Sequence, residues 1–289
     1  MRIATWRWGD STCVGTVSSD GREVTPLAAR EPALGALPLI QALARGEQLP
    51  SAAGVRLPID AVTLMSPLPR PLRSLFCVGR NYRAHAAELA ASVFKGSLPT
   101  DESWPIVFSK FANCVVGPFD AVTLPGAAVS SQIDYESELA VVIGKGGINI
   151  SKARAMDHVF GYTVVNDVTA RDVQMRHSQW DLGKSFDTFC PMGPWIVSAD
   201  EMDGRNTRVR GWVNGELRQD ARTTDLIFDI PTLIETCSSG ITLHPGDVIA
   251  TGTPAGVGMG LSPPRWLKAG DVVRIEIDGI GAIENSFRA

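Results

Sequence analysis

The chain has 289 residues, a net charge of −4, and 44% hydrophobic against 20% charged residues, enough to bury a sizeable core in one large or two unequal domains. No apolar run reaches the roughly 18 residues that span a bilayer, and no basic stripe offers a surface for nucleic acid, so neither a membrane nor a nucleic acid is expected as a partner. Cys13, Cys77, Cys114, Cys190 and Cys237 are widely scattered with no Cys-x-x-Cys pair, which suits reduced, mostly buried thiols in a cytoplasmic protein.

Residues 1–8 lack the apolar centre of a secretory signal and read as a first strand. Short strands, a turn at residues 18–21 and a helical stretch at residues 38–44 follow, with nothing that resembles a catalytic cluster. Pro67, Pro69 and Pro71 then interrupt helix and sheet alike and suit an extended connector. Two domains are expected, a small N-terminal α/β domain over residues 1–66 and a catalytic domain over residues 67–289. In the second, many short Val/Ile-rich runs are divided by Gly, Pro and Asp turns, with few helical patterns between them. That favours an α+β, mainly β fold.

Residues 76–89 read as a strand ending at Gly79, followed by an alanine-rich helix that Asn81 could cap. His85 and Glu88 stand three apart on one face of that helix. A carboxylate beside a histidine holds one tautomer and stabilises the imidazolium, as a general base requires; a surface pair that only supports the helix is the plainer alternative. Residues 91–104, which include Phe94, Lys95 and Trp104, look inserted and either select the distal part of a substrate or form a simple loop.

Residues 133–143 set Glu136 and Glu138 two apart in an apolar, strand-like run, so alternation puts them on one face. They either face solvent on an edge strand or converge on one ion. Asp167 shifts the balance toward the ion, because it closes a second strand-like run just before a helix start. Oxygen-only ligands favour Mg²⁺ or Mn²⁺ over zinc or ferrous iron, which more often take histidine.

Thr169 and Asp172 match a capping-box pattern, which would start a helix beside Asp167 and put Arg171 and Gln174 on a face near the ion. Arg171 could grip a substrate carboxylate through two hydrogen bonds, or the helix is an ordinary solvated one. Lys184, set among glycine, serine and aromatic neighbours, could stabilise developing negative charge. Finally, residues 247–260 read as a strand opening into a glycine-rich loop. No ordered βαβ unit follows, which argues against a dinucleotide fingerprint; Thr251 or Thr253 could offer a hydroxyl to a substrate, or the loop is a structural turn.

Taken together, these pieces resemble the fumarylacetoacetate hydrolase superfamily over nearly all of residues 72–289. They run in order: Val78-Gly79-Arg80-Asn81-Tyr82 with His85 and Glu88; Phe108-Ser109-Lys110; Asp134-Tyr135-Glu136-x-Glu138; Gly161-Tyr162-Thr163 to Asp167; Arg171-Asp172 with Gln174; Gly183-Lys184-Ser185-Phe186-Asp187; and Thr251-Gly252-Thr253-Pro254. The resemblance implies the family's mixed β-roll catalytic domain, a homodimer, and Mg²⁺ or Mn²⁺ held by Glu136, Glu138 and Asp167. It implies that His85 and Glu88 form a catalytic lid dyad with Lys184 as a further catalytic group, and that Arg80, Tyr82, Arg171, Gln174 and Thr253 contact substrate. Where some members carry an extra aspartate ligand, Arg80-Asn81-Tyr82 stands here, as in the smaller acylpyruvate hydrolase and decarboxylase branch.

The expected substrate is a small 2-oxo or 2,4-dioxo acid, chelated through its carboxylate and keto oxygen so that an enolate at C3 is stabilised. With a second carbonyl at C4, water activated by His85 would cleave the C3–C4 bond, which is acylpyruvate-type hydrolysis. The same enolate serves an oxaloacetate-type decarboxylase or an isomerase of an unsaturated 2-oxo diacid, and fold and metal site alone do not separate these. A non-catalytic ligand-binding protein on the same fold is a further alternative, against which the intact acidic cluster and paired base argue.

Overall fold

The computed structural model describes residues 1–92 and 103–289, so Phe94 and Lys95 lie outside the described residues, while Trp104 is exposed. The expected α+β, mainly β fold is present. Its α-helices among the described residues are α1 (Leu37–Ala44), α2 (Arg83–Ser92), α3 (Arg171–Gln174), α4 (Asp181–Lys184) and α5 (Ile230–Ser238).

One large sheet organises the chain. Its path runs Leu57–Pro58, Glu23–Pro26, Ser11–Val17, Arg2–Trp8, Cys190–Ser198, Val159–Asn166, Ser137–Ile143, Val248–Ala250, Leu75–Gly79 and Ile106–Lys110. A second sheet runs Glu216–Arg222, Arg208–Val213, Val272–Ile277, Gly281–Arg288 and Val122–Thr123. The first strand pairs antiparallel with Cys190–Ser198, Arg2 opposite Val197, so the N-terminal segment extends the main sheet.

The Ser137–Ile143 strand is buried along its whole length, and its alternation serves two cores rather than a core and a solvent face. Leu139, Val141 and Ile143 pack with Val273, Ile275 and Ile283 of the second sheet and with Leu233 and Ile234 of α5. Ala140 and Val142 pack with Leu37, Leu39 and Ile40 of α1 and with Val165 and Ile196. An edge strand with solvated glutamates is thereby ruled out.

The site's position follows from strand direction. Ser137–Ile143 is antiparallel to Val159–Asn166 and to Val248–Ala250, and Val248–Ala250 is parallel to Leu75–Gly79. Hence the start of the first strand and the ends of the other three meet at one rim of the sheet. That rim collects Glu136 and Glu138, Asp167, Thr251 to Thr253, and Gly79 to Tyr82.

Three local expectations are corrected. Residues 133–143 are not one strand: Ile133–Asp134 pairs with Thr169–Ala170, and regular pairing resumes only at Ser137, because the Asn166 side chain takes the Glu136 N–H at 3.1 Å. Asn81 does not cap α2. Its buried amide donates to the Phe228 and Thr251 carbonyls and accepts from Phe228 N–H, tying the segment before the helix to two other elements. No capping box forms at α3 either: the cap residue is Ala170, the Thr169 hydroxyl donates to the Asp167 carbonyl, and Asp172 accepts from Ser130 and Val173.

Candidate active site

Glu136, Glu138 and Asp167 are all buried, and each offers a carboxylate oxygen within 4.8 Å of the others. Two neighbouring strands deliver them. Glu136 immediately precedes one and Asp167 immediately follows the other, and the Asp167 N–H donates to the Glu136 carbonyl at 3.0 Å, one rung beyond the regular ladder.

Buried cations of the chain itself compensate the cluster. Lys184 Nζ lies 2.8 Å from both Glu136 Oε2 and Asp167 Oδ2, Arg171 Nη1 lies 2.7 Å from Glu136 Oε1, and Lys110 Nζ lies 2.8 Å from Asp167 Oδ1. Lys110 also donates to the carbonyls of Val168 and Lys184, so one buried ammonium fixes both the Asp167 carboxylate and the turn carrying Lys184. Lys110 stands in the family-like pattern, but nothing local to Phe108-Ser109-Lys110 points at Asp167, whose strand is separated from that of Lys110 by three others in the sheet.

Compensation is uneven. Burial opposes ionisation of Glu136, yet the charges of Lys184 and Arg171, with His85 beyond them, outweigh it and hold the carboxyl at about 2. For Glu138 burial acts in the same direction as the charges of Asp167 and Glu136, and its carboxyl is pushed well above the usual carboxylate range. Glu138 accepts the Gly252 N–H at 2.9 Å but pairs with no side-chain cation among the described residues. Asp167 Oδ1 is buried against Lys110 Nζ at 2.8 Å, and as a carboxylate oxygen it keeps a second lone pair to offer. A carboxylate lacking a partner charge and an oxygen with an unused lone pair are what a small, hard divalent cation would satisfy, so the donor set fits the expected ion.

Above the triad is a cleft lined by Gly79, Arg80, His85, Leu89, Glu136, Arg171, Gln174, Trp180, Lys184 and Thr253, with a free volume of about 20 Å³. That is near the room one water needs, so a substrate must displace part of the wall, and α2 carries His85 and Leu89 on that wall. His85 is buried, and its Nδ1 lies 3.1 Å from Glu88 Oε2. An ionised carboxylate only accepts, so Nδ1 carries a proton, and in the neutral ring Nε2 is then the nitrogen with the lone pair.

Most of the other expected contacts line the same space. Arg171 Nε donates to Asp134 Oδ2 at 2.9 Å and Nη1 to Gln174 Oε1 at 3.2 Å, while Nη2 is buried without a partner among the described residues. Thr253 accepts from Gln219 Nε2 at 2.8 Å; the Thr251 hydroxyl is spent on the Leu139 carbonyl. Arg80 reaches the cleft from a left-handed backbone at φ 55°, a conformation that costs a non-glycine residue on the order of 1–3 kcal/mol. Tyr82 is not brought to the cleft. Beyond the bend at Arg80 its backbone bridges to Leu226 and the residue borders a separate cavity of about 260 Å³ with Asp220, Asp225 and Pro254, while its buried hydroxyl stays near enough to Glu138 to sense that charge. Gly183 explains the Gly-Lys pair, since a Cβ there would lie 2.5 Å from Gln174 N; only glycine lets α4 approach α3 closely enough to put Lys184 between Glu136 and Asp167.

Comparison with known proteins agrees with this architecture. The chain is 50% identical over 230 residues to oxaloacetate tautomerase YisK of Bacillus subtilis, covering 79% of this chain and 74% of that protein. It is 44% identical over 282 residues to the human mitochondrial oxaloacetate tautomerase FAHD2A, covering 94% and 86%. Among solved structures, a fumarylacetoacetate hydrolase from Exiguobacterium antarcticum superposes with a TM-score of 0.85 at 37% identity over 100% of this chain and 99% of that one. A 5-carboxymethyl-2-hydroxymuconate delta-isomerase from Mycobacterium smegmatis superposes with a TM-score of 0.79 at 34% identity, with the same coverage. The family model described as fumarylacetoacetate (FAA) hydrolase, C-terminal, matches residues 74–288, a span that contains every residue of the triad, the dyad and the cleft. The chain therefore belongs to the fumarylacetoacetate hydrolase family.

Proposed function

We propose that this enzyme is a divalent-metal-dependent keto–enol isomerase of a short 2-oxo diacid of the oxaloacetate type. The carrying observation is the pairing, in one closed cleft, of a buried Arg171 Nη2 that lacks a partner with a His85 whose Glu88-bonded tautomer leaves Nε2 as a base. An unpartnered buried guanidinium nitrogen is costly, and a substrate carboxylate oxygen relieves that cost. Mg²⁺ or Mn²⁺ held by Glu136, Glu138 and Asp167 would supply Lewis-acid stabilisation of the enolate.

The protein's own groups do the rest. Arg171, steadied by Asp134, Glu136 and Gln174, orients the substrate through its carboxylate. His85 Nε2 takes the proton from C3, becomes an imidazolium stabilised by Glu88, and returns that proton to the C2 oxygen; in the reverse direction it moves the proton back to C3. No bond to C4 breaks, and water need not enter. Lys184 and Arg80 add positive charge to the walls of the cleft, and the Thr253 hydroxyl offers one further hydrogen bond.

Several similar proteins are named as oxaloacetate tautomerases or delta-isomerases, which favours isomerisation over the acylpyruvate hydrolysis expected from the sequence. We also propose that the enzyme acts as a homodimer in the cytoplasm. Ile106, Val107 and Phe111, exposed at or beside the terminal strand of the large sheet, support a second copy covering that edge.

The test is to add enzyme, with and without Mg²⁺ or Mn²⁺, to oxaloacetate held away from its keto–enol equilibrium, and to follow enol absorbance and pyruvate together. Metal-dependent relaxation of the absorbance without pyruvate is expected. Pyruvate from oxaloacetate would move the assignment to a decarboxylase, and pyruvate plus acetate from acetylpyruvate to a hydrolase.

A further inference from the structure

The glycine-rich segment at residues 256–260 is absorbed by neither the metal triad nor the substrate contacts, yet it touches the dyad. The Gly256 N–H donates to both Glu88 oxygens, at 3.1 and 3.3 Å. Leu89, one residue further along α2, packs with Val257, Met259 and Trp266. At Gly260 an added Cβ would lie 2.2 Å from the Glu88 carboxyl carbon. Glycine at 260 is thus what leaves space for the carboxylate that orients His85.

The loop is itself held from below by the two residues ahead of Glu136. The Tyr135 hydroxyl donates to the Gly256 carbonyl at 2.6 Å. Asp134, fully buried, accepts from Gly258 N–H at 2.7 Å and Met259 N–H at 3.0 Å, and the same carboxylate receives Arg171 Nε at 2.9 Å. The two peptide units flanking the Gly256 Cα are therefore both fixed, one to Glu88 through the Gly256 N–H and the other to Tyr135 through the Gly256 carbonyl.

We infer that residues 256–260 form the latch that receives Glu88 and sets the His85–Glu88 dyad, with Gly260, Tyr135 and Asp134 as positioning residues. Asp134 joins this latch to Arg171, so the arm that holds the substrate carboxylate and the latch that seats the base share one buried anion. The inference rests on the proposed role of His85 as the base. Moving Glu88 changes the orientation of His85 without touching the metal ligands, so kcat falls while KM and metal affinity hold.

Gly260→Ala is the direct probe. Its backbone is not in a glycine-only region, and the displaced atoms are the end of a flexible side chain, so the fold is retained. The expected result is a fall in kcat of about tenfold or more, the lower end of what a mispositioned base costs, with unchanged Mg²⁺ affinity by titration calorimetry. In a Glu88→Ala background the added Cβ has nothing to displace, so Gly260→Ala then costs less than roughly twofold, the signature of two residues acting through one contact. Wild-type kcat in Gly260→Ala, or a loss that multiplies in full on Glu88→Ala, overturns the latch. Tyr135→Phe keeps the ring and removes only the hydroxyl; it carries the same double-mutant test if Gly260→Ala does not fold. His85→Ala separates the two claims: full activity there defeats the base assignment itself, whereas an inactive His85→Ala beside a fully active Gly260→Ala defeats only the latch.

Discussion

At the residue scale the site is a balance of buried charges, and its members respond differently to removal. Taking away one partner of a buried pair leaves the other uncompensated, commonly at a cost of about 3–5 kcal/mol. Glu138 differs from Glu136 in having no side-chain cation beside it, so its loss costs the fold less and the ion more. Glu138→Ala and Asp167→Ala are both expected to lose Mg²⁺ binding and activity together, with Asp167→Ala also lowering the melting temperature because Lys110 and Lys184 lose their shared anion. His85→Ala should bind Mg²⁺ as the parent does and lose roughly 10²-fold or more in kcat. Calorimetric titration alongside the oxaloacetate assay checks all three, and retained turnover in His85→Ala would remove histidine from the mechanism. Of these residues the carboxylates, the dyad and Lys184 were legible in the sequence. Lys110 and Asp134 stand in the family-like pattern, but no role for them could be read there, because their partners are distant in sequence and a buried ion pair leaves no local pattern.

At the element scale, side chains in place of regular backbone pairing hold the rim of the sheet. Asn81 uses its amide three times, twice as a donor and once as an acceptor, to join the approach to α2 with Phe228 and Thr251. Asn81→Ala orphans buried backbone groups at about 1–3 kcal/mol each, and it should lower stability by that order while freeing the start of α2. Denaturant melts give the first quantity, and hydrogen exchange of the α2 amides, rising ahead of those of the Ser137–Ile143 strand, gives the second. An effect confined to global stability would mean that Asn81 does not tether the helix. The sequence placed α2 by its alanine-rich run and the strands by their apolar runs, because both signals are local. It misassigned Asn81 and Thr169 as helix caps because a cap and a long-range tie use the same side-chain chemistry, and only the fold decides which donors come within reach.

At the scale of the whole molecule, residues 1–66 continue the large sheet through the pairing of Arg2–Trp8 with Cys190–Ser198, and α1 closes one of the two cores beneath the site. We propose that these residues remain a module in sequence while the catalytic part depends on them for stability. A fragment covering residues 67–289 should expose Leu75, Ala140, Val142 and Ile196 and bare the edge of Cys190–Ser198, so it is expected to aggregate or unfold at lower denaturant than the full chain. A monodisperse fragment with parental stability and turnover would show instead that the boundary divides independent folding units. Composition, alternation and the order of motifs by themselves determined the mainly β fold, the family resemblance and most of the acidic and basic residues of the site, because each rests on neighbours within a few residues. Only the tertiary structure decided that Lys110, Lys184 and Arg171 balance the triad, that Tyr82 turns away from the cleft, and that the glycine loop meets Glu88, because strands far apart in sequence bring those charges and surfaces into contact.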